Sequence, residues 1–139
     1  MNYKKVSNSD FVVKLDRGEE IVSTLTRFFC DREISSGTVS GIGALSCVEL
    51  GFYDTSCKEY KRKTFESDLE ILNCNGNISL KNGNPFAHMH ILLSRSDFNV
   101  VGGHLFSGTI SVTGEFHIRV FNERIERKEG AGGLALWEI

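Results

Sequence analysis

Thr38-Val39-Ser40-Gly41-Ile42-Gly43-Ala44-Leu45 and, one serine later, Cys47-Val48-Glu49-Leu50-Gly51-Phe52-Tyr53-Asp54 are where the hydrophobic period of this 139-residue chain settles at two. Alternation of that kind reads as two consecutive strands, the first built of small residues. The period is different just upstream. Phe11-Val12-Val13-Lys14-Leu15 is a short apolar run, read as a first strand, and Asp16-Arg17-Gly18-Glu19-Glu20 punctuates it. Those acidic residues open a helix and occupy its first turn, where the dipole favours them. Ile21, Val22, Leu25, Phe28 and Phe29 then recur at helical spacing as one apolar stripe, and the helix ends near Glu33. Downstream, strands are expected at 58–65 and 69–74, with turns at Asp54-Thr55-Ser56 and Glu66-Ser67-Asp68. Asn75-Gly76 predicts a hairpin turn before Asn77-Ile78-Ser79-Leu80, and Asn82-Gly83-Asn84-Pro85 a further one. Thr109 to Phe121 reads as a long strand interrupted at Gly114, Asn122 to Gly133 as a charged, then glycine-rich connection, and Leu134 to Ile139 as a last strand. One helix among many strands predicts a single α+β domain over 1–139, with a largely antiparallel mixed sheet and the helix packed on it.

Composition narrows the function classes. Hydrophobic residues make up 40% and charged residues 24%, ordinary for a soluble globular domain long enough to bury a core without staples. Net charge is -2 with the histidines neutral, so no bulk cationic surplus advertises a phosphate-backbone partner. Lys58-Glu59-Tyr60-Lys61-Arg62-Lys63 is the densest basic run, and its alternation reads as a solvated strand face. The N-terminal residues run into polar sequence without an apolar segment, and no stretch has the length of a bilayer span. A cytoplasmic location without membrane contact is expected. Cys30, Cys47, Cys57 and Cys74 lack CxxC spacing and read as reduced thiols packed as small apolar groups.

Three of the four histidines fall in two short pieces, Phe86-Ala87-His88-Met89-His90-Ile91 and Val101-Gly102-Gly103-His104-Leu105. His88 and His90 are two apart in a strand-like run, so their side chains leave one face while Met89 and Ile91 point to the other. The Gly-Gly step before His104 removes two Cβ atoms and permits close approach. Neutral imidazole suits zinc and similar transition metals, and three imidazoles with an open fourth position is the arrangement catalytic zinc uses. The bland alternative is a pair of hydrogen-bonded histidines lining a polar crevice, with His104 unrelated. His117 sits in a plain alternating strand and is left out. Gly41-Ile42-Gly43 lacks the third glycine and the following helix of a dinucleotide fingerprint, so close packing explains it better. Glu49, Glu70 and Glu115 are carboxylates in strands, with no partner that identifies an acid/base pair.

Taken in order, the Val39–Leu45, Leu50–Asp54, Leu69–Ser79, Pro85–His90 and Gly102–Leu105 segments resemble the plants-and-prokaryotes-conserved (PPC) domain, from about Phe11 to Ile118. This resemblance implies an α+β domain that assembles as a homotrimer. It further implies, from some prokaryotic members, a zinc-like ion held by His88, His90 and His104. In plant relatives the domain follows AT-hooks built around Arg-Gly-Arg, which bind A·T minor grooves; no Arg-Gly-Arg occurs in these residues. A DNA-binding role therefore carries over by domain analogy only.

Three functions stand side by side. The first is a trimeric metal-binding domain with a pocket around the histidines. The second is a DNA-binding or regulatory module, which needs a basic surface such as Lys58, Lys61, Arg62 and Lys63 repeated around a trimer. The third is a metal-dependent enzyme of unspecified reaction, for which Glu70 or Glu115 would be the general base.

Overall fold

The computed structural model describes residues 1–130 and 132–139. Strands β1 (Asn2–Lys5) and β2 (Asp10–Asp16) precede α1 (Ile21–Asp31). Four long strands follow, β3 (Gly37–Asp54), β4 (Glu59–Lys81), β5 (Asn84–Ser94) and β6 (Val100–Val120), and then the short β7 (Glu126–Glu129) and β8 (Ala135–Glu138). The expected α+β class and the single principal helix are both present.

The sheet runs in the order β1-β2-β6-β3-β4-β7-β8, and β5 bonds to both β4 and β6. Strands β3, β4, β5 and β6 therefore close on themselves as a ring, antiparallel at every seam. The single parallel pairing is between β4 and β7, at Leu80↔Glu126 and Lys81↔Arg127. Closure explains why the strands run longer than the turn chemistry predicts. The two strands expected over 38–45 and 47–54 are one bent strand, with register shifts near Gly41–Gly43 and Leu45–Cys47 in place of a break. Glu66-Ser67-Asp68 is likewise not a turn but the middle of β4, and Gly114 lies within an unbroken β6. Tertiary pairing on both flanks overrides the local preference.

Asn75-Gly76 is the clearest correction. These residues pair with His90 and Met89 inside β4. A Cβ on Gly76 would sit 2.4 Å from the His88 carbonyl oxygen, so glycine is there for close backbone approach. The two-residue turn falls at Asn82-Gly83, where φ is 53° and 76°, as a hairpin of the mirror-image type requires.

Helix α1 buries Ile21, Leu25, Phe28 and Phe29 as its stripe predicts, and it packs against β5 and β6. Its N-terminus differs from expectation. No acidic residue lies in the first turn; Glu20 is the cap itself, accepting from the Val22 and Ser23 backbone N–H at 2.9 and 2.6 Å. The same carboxylate accepts the Gly108 N–H of β6 at 3.0 Å, which ties the helix start to the sheet. Glu20→Ala removes all three acceptor contacts and is expected to cost about 1–2 kcal/mol in urea unfolding, the upper part of the range for a lost cap. Cys74 is the one cysteine packed in the core; Cys30 and Cys57 are exposed, which corrects the expectation for those two.

Candidate metal centre

Strand β5 alternates as its sequence predicts. Met89, Ile91 and Leu93 are buried, while His88 and His90 leave the opposite face. His90 stands directly across the β5–β6 seam from His104. The seam can close there because β6 carries Gly102 and Gly103. A Cβ on Gly103 would lie 2.7 Å from the Gly51 carbonyl oxygen, and one on Gly102 2.6 Å from that of Ile91. The glycine step thus lets β6 fit between β3 and β5 and delivers His104 to the pair.

The three rings form a triangle, with centroids 5.2 Å apart for His88–His90, 5.2 Å for His88–His104 and 5.4 Å for His90–His104. One nitrogen from each lies within 4.8 Å of the others. His104 is wedged between Tyr60 and Phe106, ring centroids 5.2 and 4.7 Å away. Its Nδ1 is buried and has no hydrogen-bond partner within the protein. An orphaned buried imidazole nitrogen is costly unless some group completes it. An all-imidazole donor set with such an atom fits a borderline-soft divalent metal.

Electrostatics hold these rings neutral, the form that ligates. Burial pushes the His104 pKa down from 6.5 to about 4, helped by the charge that His88, His90 and Arg62 would present. Burial also lowers that of His88, followed by Arg127 and His90. A histidine depressed in the fold binds fewer protons than in the unfolded chain. The stability of the metal-free protein is therefore expected to be fully present above pH 6.5 and to fall as the pH drops toward 4. Thermal unfolding of protein treated with chelator checks this, and a His104→Gln variant should show a shallower acid slope.

The other residues singled out from sequence lie elsewhere. His117 sits 3.1 Å from Asp10 on the β2–β6 seam, outside the triangle. Glu70 and Glu115 are exposed and do not line the histidine pocket, so neither is placed as its general base. In the basic run, Lys61 pairs with Asp54 at 2.6 Å and Arg62 with Glu49 at 3.4 Å, while the Arg62 guanidinium stacks 3.7 Å over Phe106. Sequence reasoning missed Arg127. Glu126-Arg127-Lys128-Glu129 looks like a solvated charge run, yet Arg127 is buried beside the histidines because β7 pairs with the end of β4.

The Plants and Prokaryotes Conserved (PCC, also written PPC) domain matches residues 3–122. The chain belongs to this family. Among solved structures, this PCC-domain protein is similar to a Bacteroides thetaiotaomicron protein provisionally described as DNA-binding: 36% identity, TM-score 0.94, covering 99% of this chain and 96% of that one. It is similar to a plant- and prokaryote-conserved protein from Pyrococcus horikoshii, at 35% identity and TM-score 0.88 over 94% and 91% of the two chains. A metal-containing protein from Archaeoglobus fulgidus is 34% identical, with TM-score 0.87 over 100% and 99%. Acetolactate decarboxylase from Bacillus subtilis shares the fold alone, at 13% identity and TM-score 0.62 over 90% of this chain and 59% of its own. No functionally curated protein matches the sequence. Among the described residues, no helix of this PCC-domain protein is long and apolar enough to cross a membrane.

Proposed function

We propose that this protein binds a divalent transition metal, zinc in the first instance, through His88, His90 and His104. The observation that carries the reading is the convergence of three imidazole nitrogens within 4.8 Å, one of the rings having a buried Nδ1 without a protein partner. A metal-containing relative of 34% identity over the whole chain supports it. When bound, such an ion offers a fourth position at which a ligand oxygen is polarised or a water acidified. The chain's own contribution is to keep the imidazoles neutral, to brace His104 between Tyr60 and Phe106, and to present His88 and His104 to a pocket. Metal analysis of untagged protein tests the reading. About one zinc per chain after dialysis against zinc at neutral pH is expected for a three-histidine site; background zinc overturns it.

A homotrimer is proposed as the working assembly. Exposed Val12 and Ile42, with Tyr3, line an open groove of about 570 Å³ on the β1–β2–β3 surface, apolar area of the kind self-association buries. Light scattering after gel filtration is expected to give three times the chain mass; a monomer overturns this.

The naming of a 36%-identical relative favours nucleic-acid binding as a second reading. The pairing of Lys61 and Arg62 with carboxylates reduces the cationic surface available for it. Gel shift at low salt, where nonspecific affinity is greatest, tests it, and absence of a shift there removes it.

A further inference from the structure

Beside the histidines lies a second chemical feature that the metal reading does not use. A pocket of about 230 Å³ is walled by His88 and His104 on one side and by the β7–β8 hairpin on the other. Arg127 stands in its wall with only 7% of its surface exposed. Its guanidinium donates to the Ser79 hydroxyl at 2.5 Å, the Asn77 side-chain oxygen at 2.6 Å and the Ala135 carbonyl at 2.6 Å. All three partners are neutral. Of the five N–H donors of a guanidinium, three are used in this way and about two are left. Among the described residues no acidic side chain lines the pocket, whereas Lys81 stands at its mouth, its ammonium 5.6 Å from the Phe86 ring centroid. A buried cation held only by neutral acceptors and aromatic faces is incompletely compensated, and an anion is the group that completes it.

The rest of the wall limits which anion. Phe86, Phe106, Leu134 and Leu136 make it apolar. Its volume, about 230 Å³, lies below the 300–1,000 Å³ usual for drug-sized ligands, which excludes nucleotides. Two parallel N–H donors of an arginine match the two oxygens of a carboxylate. We infer that this pocket binds a small monocarboxylate with a short apolar body, its carboxylate on Arg127 and Lys81 and its body against Phe86 and Leu136. The inference goes beyond the metal reading and rests on it only in placing the ligand's far end toward the histidines.

Titration of isovalerate into the full-length protein, in metal-free and zinc-loaded forms, tests the inference by calorimetry or by shifts of pocket amide resonances. Isovaleramide, which has the same shape without the charge, and inorganic phosphate serve as controls. Isovalerate is expected to bind both forms, with isovaleramide at least about tenfold weaker because it lacks the charge-assisted contacts. Arg127→Gln is expected to abolish binding. Lys81→Gln, at an exposed position and safe for the fold, should weaken it severalfold. Absence of isovalerate binding to either form, equal binding of isovaleramide, or undiminished binding by Lys81→Gln and a folded Arg127→Gln would each overturn the site. Phosphate binding tighter than isovalerate overturns the carboxylate assignment. Isovalerate binding by a protein that takes up no zinc leaves the pocket standing and removes the metal reading.

Discussion

Replacing His104 with alanine is expected to lower zinc affinity by at least about 100-fold, since loss of an outer-shell partner alone costs 10–100-fold and a direct ligand costs more. The change removes one of only three protein ligands, so the ion would be left with the His88–His90 pair on β5. It also takes away the orphaned Nδ1, so the metal-free variant has one fewer buried nitrogen without a partner. The two effects oppose each other. Zinc affinity should collapse while the stability of the metal-free fold changes little. Competition against a chelating dye measures the first and urea unfolding in chelator the second. A variant that keeps wild-type zinc affinity would show that His104 is a wall of the pocket and not a ligand.

Met89→Ala is expected to cost about 2–5 kcal/mol, the range for truncating a fully buried aliphatic chain. Met89 is 1% exposed and sits between His88 and His90 with its side chain on the core face. It is the peg that seats the two-histidine segment, and its Cγ would lie only 2.4 Å from a Cβ on Gly76 of the neighbouring strand. Truncation opens a cavity under β5, so zinc affinity should fall as well, though by less than in His104→Ala. Denaturant midpoints and the dye competition together separate this from a change in the ligands themselves. A loss under about 1 kcal/mol would mean that the layer beneath the histidines collapses to fill the gap.

Much of this was legible in the residues. The helical stripe Ile21–Leu25–Phe28–Phe29 and the period-two runs after Gly37 define the α+β class, because burial on one face leaves its period in the sequence. The alternation His88-Met89-His90 placed both rings on one face, and the Gly-Gly step marked His104 as a residue at a close approach. What local sequence does not encode is closure. Asn75-Gly76 carries the chemistry of a turn, yet the same glycine serves strand contact, and only the pairing of β4 with β3 and β5 decides between the two. Arg127 was hidden for the same reason. A charged four-residue strand looks solvated unless its parallel neighbour, 46 positions earlier at Lys81, is known. Glu70 and Glu115, weighed as bases, face solvent, since an alternating strand offers two faces and sequence alone does not say which is lined.

Ring closure also bears on how the molecule behaves in a crowded solution. From His90 to Ser94, β5 is bonded on both flanks, so this part of the histidine strand offers no open row of N–H and C=O groups to a foreign strand. The ends of the sheet path are β1 and β8, both four residues long. Lys4 and Lys5 charge the first, and Glu138, paired with Lys128, charges the second. Edge-to-edge aggregation is thereby confined to two short, charged ribbons away from the His90–His104 seam. Trimming residues 1–6 would change that, because it bares β2, whose Phe11, Val13 and Leu15 present a longer and more apolar edge than the one removed.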